Sequence, residues 1–327
     1  MNDNDKKTIL IAGYYGFGNA GDEAILSAIS AELRARHANL DFVVVSANPS
    51  ETAATFNVRS IGWKDVDALH NAARESDLII LGGGGLFQDY WGVPKGIALT
   101  HSHWGISFSS AIGMLAVLYQ KPFMIYSVGV GPLLSEEGRR VTRWTFDLAT
   151  FTTVRDRESR DLLVSLGVPE EKIHITPDPA LTLPLDSKSA LEILQTHGVD
   201  LEIRPLIGVC IRNWKEGQEA DEWKRALARA LDQFLEVHDV QIIFIPFQVS
   251  HHPLENDHLA AMSVMAMMQN RDWVCSLHES YSPAAVAGLL SYCHLIVGMR
   301  LHSLILAASA GVPSVALVYD PKVQDFM

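Results

Sequence analysis

The stretch Thr8-Ile9-Leu10-Ile11-Ala12-Gly13-Tyr14-Tyr15-Gly16-Phe17-Gly18-Asn19-Ala20-Gly21-Asp22-Glu23 runs from an apolar segment of strand length, through four glycines, into the acidic start of a helical pattern. Apolar side chains at successive positions, without alternating polar ones, suit a strand buried on both faces, as in a parallel sheet covered by helices. Glycines let the chain turn and approach a ligand where a Cβ would collide. The helix that follows offers free N–H groups to an anion.

The same order repeats along the chain. Strand-length runs at Thr8–Gly13, Phe42–Ser46, Val58–Ile61, Leu78–Leu81, Phe123–Val128 and Phe151–Val154 alternate with helical patterns at Asp22–Arg36, Asp65–Arg74, Trp104–Tyr119, Glu136–Leu148 and Glu158–Leu166. Between Pro177 and Pro205 the alternation lapses, then restarts at Leu206–Ile211 and continues to Ser314–Val318. The expected fold class is α/β, with two Rossmann-like domains built on parallel sheets. An N-terminal domain is predicted over residues 1–180, a linker over 181–204 and a C-terminal domain over 205–327, with a small phosphorylated anion held in the cleft between the halves. A length of 327 residues fits two cores.

Three cysteines, Cys210, Cys275 and Cys293, sit far apart in apolar stretches and read as reduced thiols. The charged opening passes straight into a strand with no secretory signal pattern, and no apolar run reaches the ~20 residues of a membrane span. A cytoplasmic protein without a transmembrane segment is expected, with room for transient contact at the inner membrane surface. A net charge of −12 argues against a nucleic-acid surface, because phosphate backbones are gripped by clustered Lys and Arg.

Gly16 to Gly21 spells G-x-G-x-x-G, yet the second strand ends Val45-Ser46-Ala47-Asn48 without the carboxylate that holds a dinucleotide ribose. Asp22 also fits plain helix capping. Asn19 followed by acids suits sugar hydroxyls. The run Gly82-Gly83-Gly84-Gly85 lies at a strand's carboxyl end, either as a turn or as space cleared for a ligand. His101 and His103 invite a metal reading, but no further ligands appear at fixed spacing, so no metal is expected. Arg155-Asp156-Arg157-Glu158 reads either as a solvated ion-pair face or as part of a site. Ile211-Arg212-Asn213 places Arg212 at the end of the second domain's first strand. Gly298-Met299-Arg300-Leu301-His302 places a guanidinium and an imidazole at a helix mouth, where one can fork onto phosphate or carboxylate and the other can move a proton.

Taken together, G-Y-Y-G-F-G-N-A-G-D-E, L-G-G-G-G-L-F-Q-D, V-R-D-R-E-S, G-M-R-L-H-S and the late Pro313–Pro321 strand and turn resemble the polysaccharide pyruvyl transferase family, in order and over nearly the whole chain. The likeness is closest to its cell-surface-anchoring branch. It implies two facing Rossmann-like domains of the glycosyltransferase-B kind and phosphoenolpyruvate as co-substrate, with no cofactor. The product implied is a pyruvate ketal on a sugar, such as N-acetylmannosamine, of a secondary cell-wall polysaccharide or its lipid-linked precursor. The family's donor contacts fall on Arg300, Leu301 and His302 and, through a shorter motif, Arg212, with Arg155 alongside. His302 is the implied acid and Asp22 the base or hydroxyl-orienting group. The acceptor is expected near Gly16, Gly18, Asn19, Gly83, Gly84, His101 and His103. Family members continue past Pro321-Lys322-Val323, so a chain shortened at Met327 is also implied. Two rivals remain: a nucleotide-sugar glycosyltransferase on the same plan, and a carbohydrate-binding protein without catalysis.

Overall fold

The computed structural model describes residues 6–214 and 218–327; the charged opening residues 1–5 lie outside them. The chain forms two compact units, one from the segment up to Phe17 plus Ile25–Pro179, the other from Gly18–Ala24 plus Ala180–Met327.

The first unit holds strands β1 (Lys7–Ala12), β2 (Leu40–Ser46), β3 (Arg59–Gly62), β4 (Leu78–Phe87), β5 (Phe123–Val130), β6 (Phe151–Val154) and β7 (Ile173–Ile175). They form one sheet in the order β3-β2-β1-β4-β5-β6-β7, with every neighbour parallel. Helices α1 (Ala20–Arg36), α2 (Pro49–Phe56), α3 (Val66–Glu75), α4 (Gly105–Leu118), α5 (Glu136–Leu148) and α6 (Arg157–Ser165) connect them. Leu10, Val43, Val45, Ile79, Leu81 and Ile125 are almost wholly buried, as continuous apolar strands require. Helix starts are fixed by side-chain oxygens: Asp65 caps α3, Ser135 caps α5 and Asp156 caps α6.

The second unit holds β8 (Leu206–Cys210), β9 (Gln241–Phe244), β10 (Val274–Ser276), β11 (Leu295–Gly298) and β12 (Ser314–Ala316), in the parallel order β10-β9-β8-β11-β12. Its helices are α7 (Ser187–Thr196), α8 (Gln218–Val237), α9 (Asp257–Met267), α10 (Pro283–Ser291), α11 (Leu301–Ser309) and α12 (Pro321–Phe326).

Three expectations change. The stretch 181–204, expected as a linker region with one short helix, carries α7 and groups with the second unit, fastened there by Asp186 N–H to Ala284 O (3.0 Å), Tyr292 Oη–H to Ser187 O (3.2 Å) and Ser309 Oγ–H to Leu181 O (2.8 Å). Gly18 and Asn19, with the first residues of α1, pack with the second unit rather than with the domain that surrounds them in sequence. The glycines at 82–85 do not follow a strand but lie inside β4.

Candidate functional site

Chain order and strand order together locate the site of the second unit. From β8 the sheet grows one way through β9 and β10, and the other way through β11 and β12, so β8 and β11 are neighbours whose connections leave in opposite directions. Open α/β sheets bind ligands at such a switch point, beyond the carboxyl ends of the strands. Cys210 pairs with Gly298 in the register of β8 and β11, and Arg212 and Arg300 each follow two residues later. The Met299 and Arg300 N–H groups both donate to Cys210 O, which holds the two strand ends together (2.8 and 3.3 Å).

The Arg300 side chain is buried and already paired. Its Nε donates to Asp257 Oδ2 at 3.0 Å, and Nη2 donates to Asp257 Oδ1 at 2.6 Å and to Gln248 Oε1 at 3.1 Å. The same Asp257 Oδ2 accepts the N–H groups of Phe247 and Gln248, each at 3.0 Å. Burial opposes the charge on Arg300, but the Asp257 carboxylate and, more weakly, Tyr319 and Asp22 hold its pKa above the ordinary guanidinium value. The forked edge expected to meet a ligand is therefore occupied by Asp257. Leu301, the other expected donor contact, is a buried core side chain.

Against this pair lies the segment Gly18–Ala24. Asn19 forms an antiparallel bridge with Gln248, and Ala20 N–H donates to Phe247 O at 2.7 Å. Asn19 Oδ1 accepts from Gly21 N–H at 3.1 Å, closing the turn into α1. A Cβ on Gly21 would overlap the His302 ring at Nδ1 and Cγ, so only glycine lets this backbone lie against the imidazole. Asp22 is buried at 8% exposure and Arg300 feels its charge. Asn19 and Asp22, expected in the N-terminal acceptor half, thus lie in the same unit as Arg300 and His302, expected in the donor half.

Arg212 differs from Arg300. It is half-buried, and among the described residues its guanidinium has one weak hydrogen bond, Nε–H to Asn213 O at 3.3 Å, and no carboxylate partner. It lies 5.6 Å from the Trp214 ring centroid and 5.9 Å from that of Tyr319, and Lys322 Nζ lies 5.9 Å from the same Tyr319 centroid. Lys322 reaches Asp320 at 3.4 Å. Sequence reasoning passed over Asp257, Tyr319 and Lys322. For Asp257 the only signal was an acid in the first turn of a helix, which any N-terminus favours.

The remaining expected residues belong to the first unit, apart from Gly18. Gly16 lies in the connection between β1 and α1 with φ of 77°, against Ser46 and the backbone of Ala47 and Asn48. Gly83, at φ of 60°, faces Ile25, whose Cγ2 occupies the place of a Cβ; the glycine admits a helix onto the sheet, not a ligand. Gly84 is buried, and the pairing of β4 with β5 shifts register just after it. His101 is exposed, its Nδ1 2.9 Å from Lys64 O, whereas His103 is fully buried between Trp63 and Phe108 with Nε2 2.5 Å from Trp63 O. Burial pushes the His103 pKa down, outweighing that hydrogen bond, so the ring is a neutral core group. The Arg155 side chain is buried and paired at 3.4 Å with Asp178 and at 3.5 Å with Asp156, while Arg157 and Glu158 face solvent. Among the described residues no group of three His, Cys, Asp or Glu side chains is arranged to hold a metal ion, and no helix is long and apolar enough to cross a membrane.

The family model for polysaccharide pyruvyl transferases matches residues 19–321. The chain belongs to the polysaccharide pyruvyl transferase family. It is 21% identical to the amylovoran biosynthesis protein AmsJ of Erwinia amylovora, across 96% of this chain and 84% of that one. Solved structures share the fold at low identity. S. aureus MnaA with UDP matches with a TM-score of 0.64 at 14% identity, over 96% of this chain and 79% of that one. The UDP-GlcNAc 2-epimerase of Neisseria meningitidis matches with 0.60 at 12% identity, over 97% and 85%. Anabaena HepE with UDP-glucose matches with 0.61 at 14% identity, over 94% and 80%. As a polysaccharide pyruvyl transferase, the chain is a transferase of polysaccharide biosynthesis on a two-domain, glycosyltransferase-B-like Rossmann plan.

Proposed function

We propose that the chain transfers the pyruvyl group of phosphoenolpyruvate to two hydroxyls of one sugar, an N-acetylhexosamine such as N-acetylmannosamine, in a cell-wall polysaccharide or its lipid-linked precursor, forming a ketal and releasing phosphate. The observation that carries the reading is the placing of unlike groups at one switch point: Arg212, a half-buried cation without a carboxylate partner among the described residues, and His302, a half-buried imidazole in the first turn of α11. Phosphoenolpyruvate presents a phosphate, a carboxylate and a methylene carbon. Arg212 and Lys322 supply positive charge for the anionic groups, and two helix N-termini, those of α1 and α11, add to it. His302 delivers a proton to the methylene carbon. The cationic C2 that results takes one sugar hydroxyl, phosphate departs with a proton, and a second hydroxyl closes the ring. Asp22 accepts or orients a hydroxyl proton. The reaction so written draws on no cofactor beyond the donor.

Calorimetric titration tests the donor: phosphoenolpyruvate should bind, and a UDP-sugar should not compete. His302→Gln should then lower turnover ~10²–10⁴-fold while donor affinity stays within a few-fold. Tighter binding of the sugar nucleotide, or near-normal turnover in His302→Gln, would sink the proposal.

A further inference from the structure

Asp257 lies outside the residues so far given a chemical part, yet it joins the pieces of the site. Its carboxylate accepts four hydrogen bonds in a buried setting: two from Arg300 and one each from Phe247 and Gln248 N–H. Its own N–H donates to Gln248 O at 2.8 Å. The backbone so held is the one that receives the Gly18–Ala24 segment, through the Asn19–Gln248 bridge and the Ala20 N–H to Phe247 O bond. Two residues from Arg300 comes His302, and Gly21 of the received segment lies against its ring.

Both approaches to the imidazole are thus fixed by one carboxylate. From one side it is reached along the chain, through Arg300 to the first turn of α11. From the other it is reached through 247–248 and the bridge to Gly21. A helix cap alone would need one bond, and a charge partner for Arg300 alone would need two; four bonds, two to the Arg300 side chain and two to the adjacent N–H groups of Phe247 and Gln248, are what a locating group makes.

We propose that Asp257 is a positioning residue, which sets where His302 stands relative to the first turn of α1 and acts on the reaction only through that placement. The inference rests on the pyruvyl-transfer reading for its kinetic test but not for its spectroscopic one.

Asp257→Asn keeps the shape and loses the charge. Its turnover with phosphoenolpyruvate should fall at least ~10-fold with KM for the donor within ~3-fold, because the anion clamp of Arg212 and Lys322 is untouched and misplacement is felt in the transition state. Gly21→Ala, which displaces the ring from the opposite side, should give the same split. The double variant should lose much less than the product of the two single losses, since both act through one placement. A change in KM alone, or multiplying losses, would overturn the proposal. Independently of any substrate, the His302 imidazole NMR signal, assigned by its disappearance in His302→Gln, should move in Asp257→Asn; an unmoved signal rejects the inference whatever the reaction proves to be. If Asp257→Asn does not fold, Gln248→Leu, which removes one bond to Arg300 and keeps the ion pair, serves for both measurements with a smaller change of the same sign. Absence of wild-type turnover would instead count against the pyruvyl reading alone.

Discussion

Replacing Arg300 with Met keeps most of the apolar stem and removes the guanidinium, leaving the Asp257 carboxylate without its charge partner. The two side chains are 7% and 1% exposed. Removing one member of a buried ion pair costs ~3–5 kcal/mol, chiefly from the stranded charge. Asp257 would keep the N–H groups of Phe247 and Gln248, so the lower end, ~3–4 kcal/mol, is the expected loss. For a unit of this size that amounts to a fall of roughly 6–16 °C in Tm by scanning calorimetry. Lys6→Ala provides the contrast: its 2.7 Å contact with Asp41 is 64% and 54% exposed, and its loss should cost under ~1 kcal/mol. Adding Asp257→Asn to Arg300→Met should restore part of the loss, because the amide oxygen still accepts from the backbone and the stranded Asp257 charge is gone. A cost below ~1 kcal/mol for Arg300→Met, or a double variant less stable than it, would refute the assignment of Arg300 to an internal pair.

Two further outcomes follow from buried titratable groups. Burial depresses the His103 pKa below its ordinary value of 6.5, so the unfolded chain takes up a proton that the native chain refuses; stability is therefore lost as pH falls through about 6.5, by up to ~1.4 kcal/mol per pH unit. Urea midpoints at pH 7 and pH 5.5 should diverge more in wild type than in His103→Gln, and equal divergence would contradict this. Burial also lifts the Cys275 thiol to about 11, Cys293 to about 12 and Cys210 well above its usual range, so labelling by a disulfide reagent at pH 8 should run more than ~100-fold slower in native than in unfolded protein; comparable rates would show those environments to be open.

The sheets were legible because parallel strands leave a plain record, near-continuous Val, Ile and Leu between helical periods, and β1, β2, β5, β6, β8 and β12 stand within a few residues of their expected places. Elements with weaker records were missed. α2 begins at Pro49 and has one fully buried residue, Thr52, and β7 is a three-residue edge strand. The glycines of β4 read as a break because the apolar run stops at Leu81; at Gly83 the missing side chain is supplied from elsewhere, by Ile25. At the candidate site, local motifs pointed to Arg212, Arg300 and His302, since a charged residue just past a buried strand needs an explanation. They could not reveal that Arg300 is spoken for, because its partner lies 43 residues away in another helix. Nor could they show which unit the Gly18–Ala24 segment joins. That depends on Phe247 and Gln248, and no pattern near Asn19 points to them.

That late partnership has a consequence for the protein's birth on the ribosome. Ala20 leaves the tunnel about 227 residues ahead of Phe247, which at ~5–20 residues per second is roughly 11–45 s of waiting, and His302 comes later still. During that interval the sheet built from β1 to β7 can assemble around its own strands, while Gly18–Ala24 has no acceptor for the Ala20 amide and no ring to lie beneath. The segment therefore takes its place only after Phe247 and His302 have been made, well after the strands that flank it in sequence.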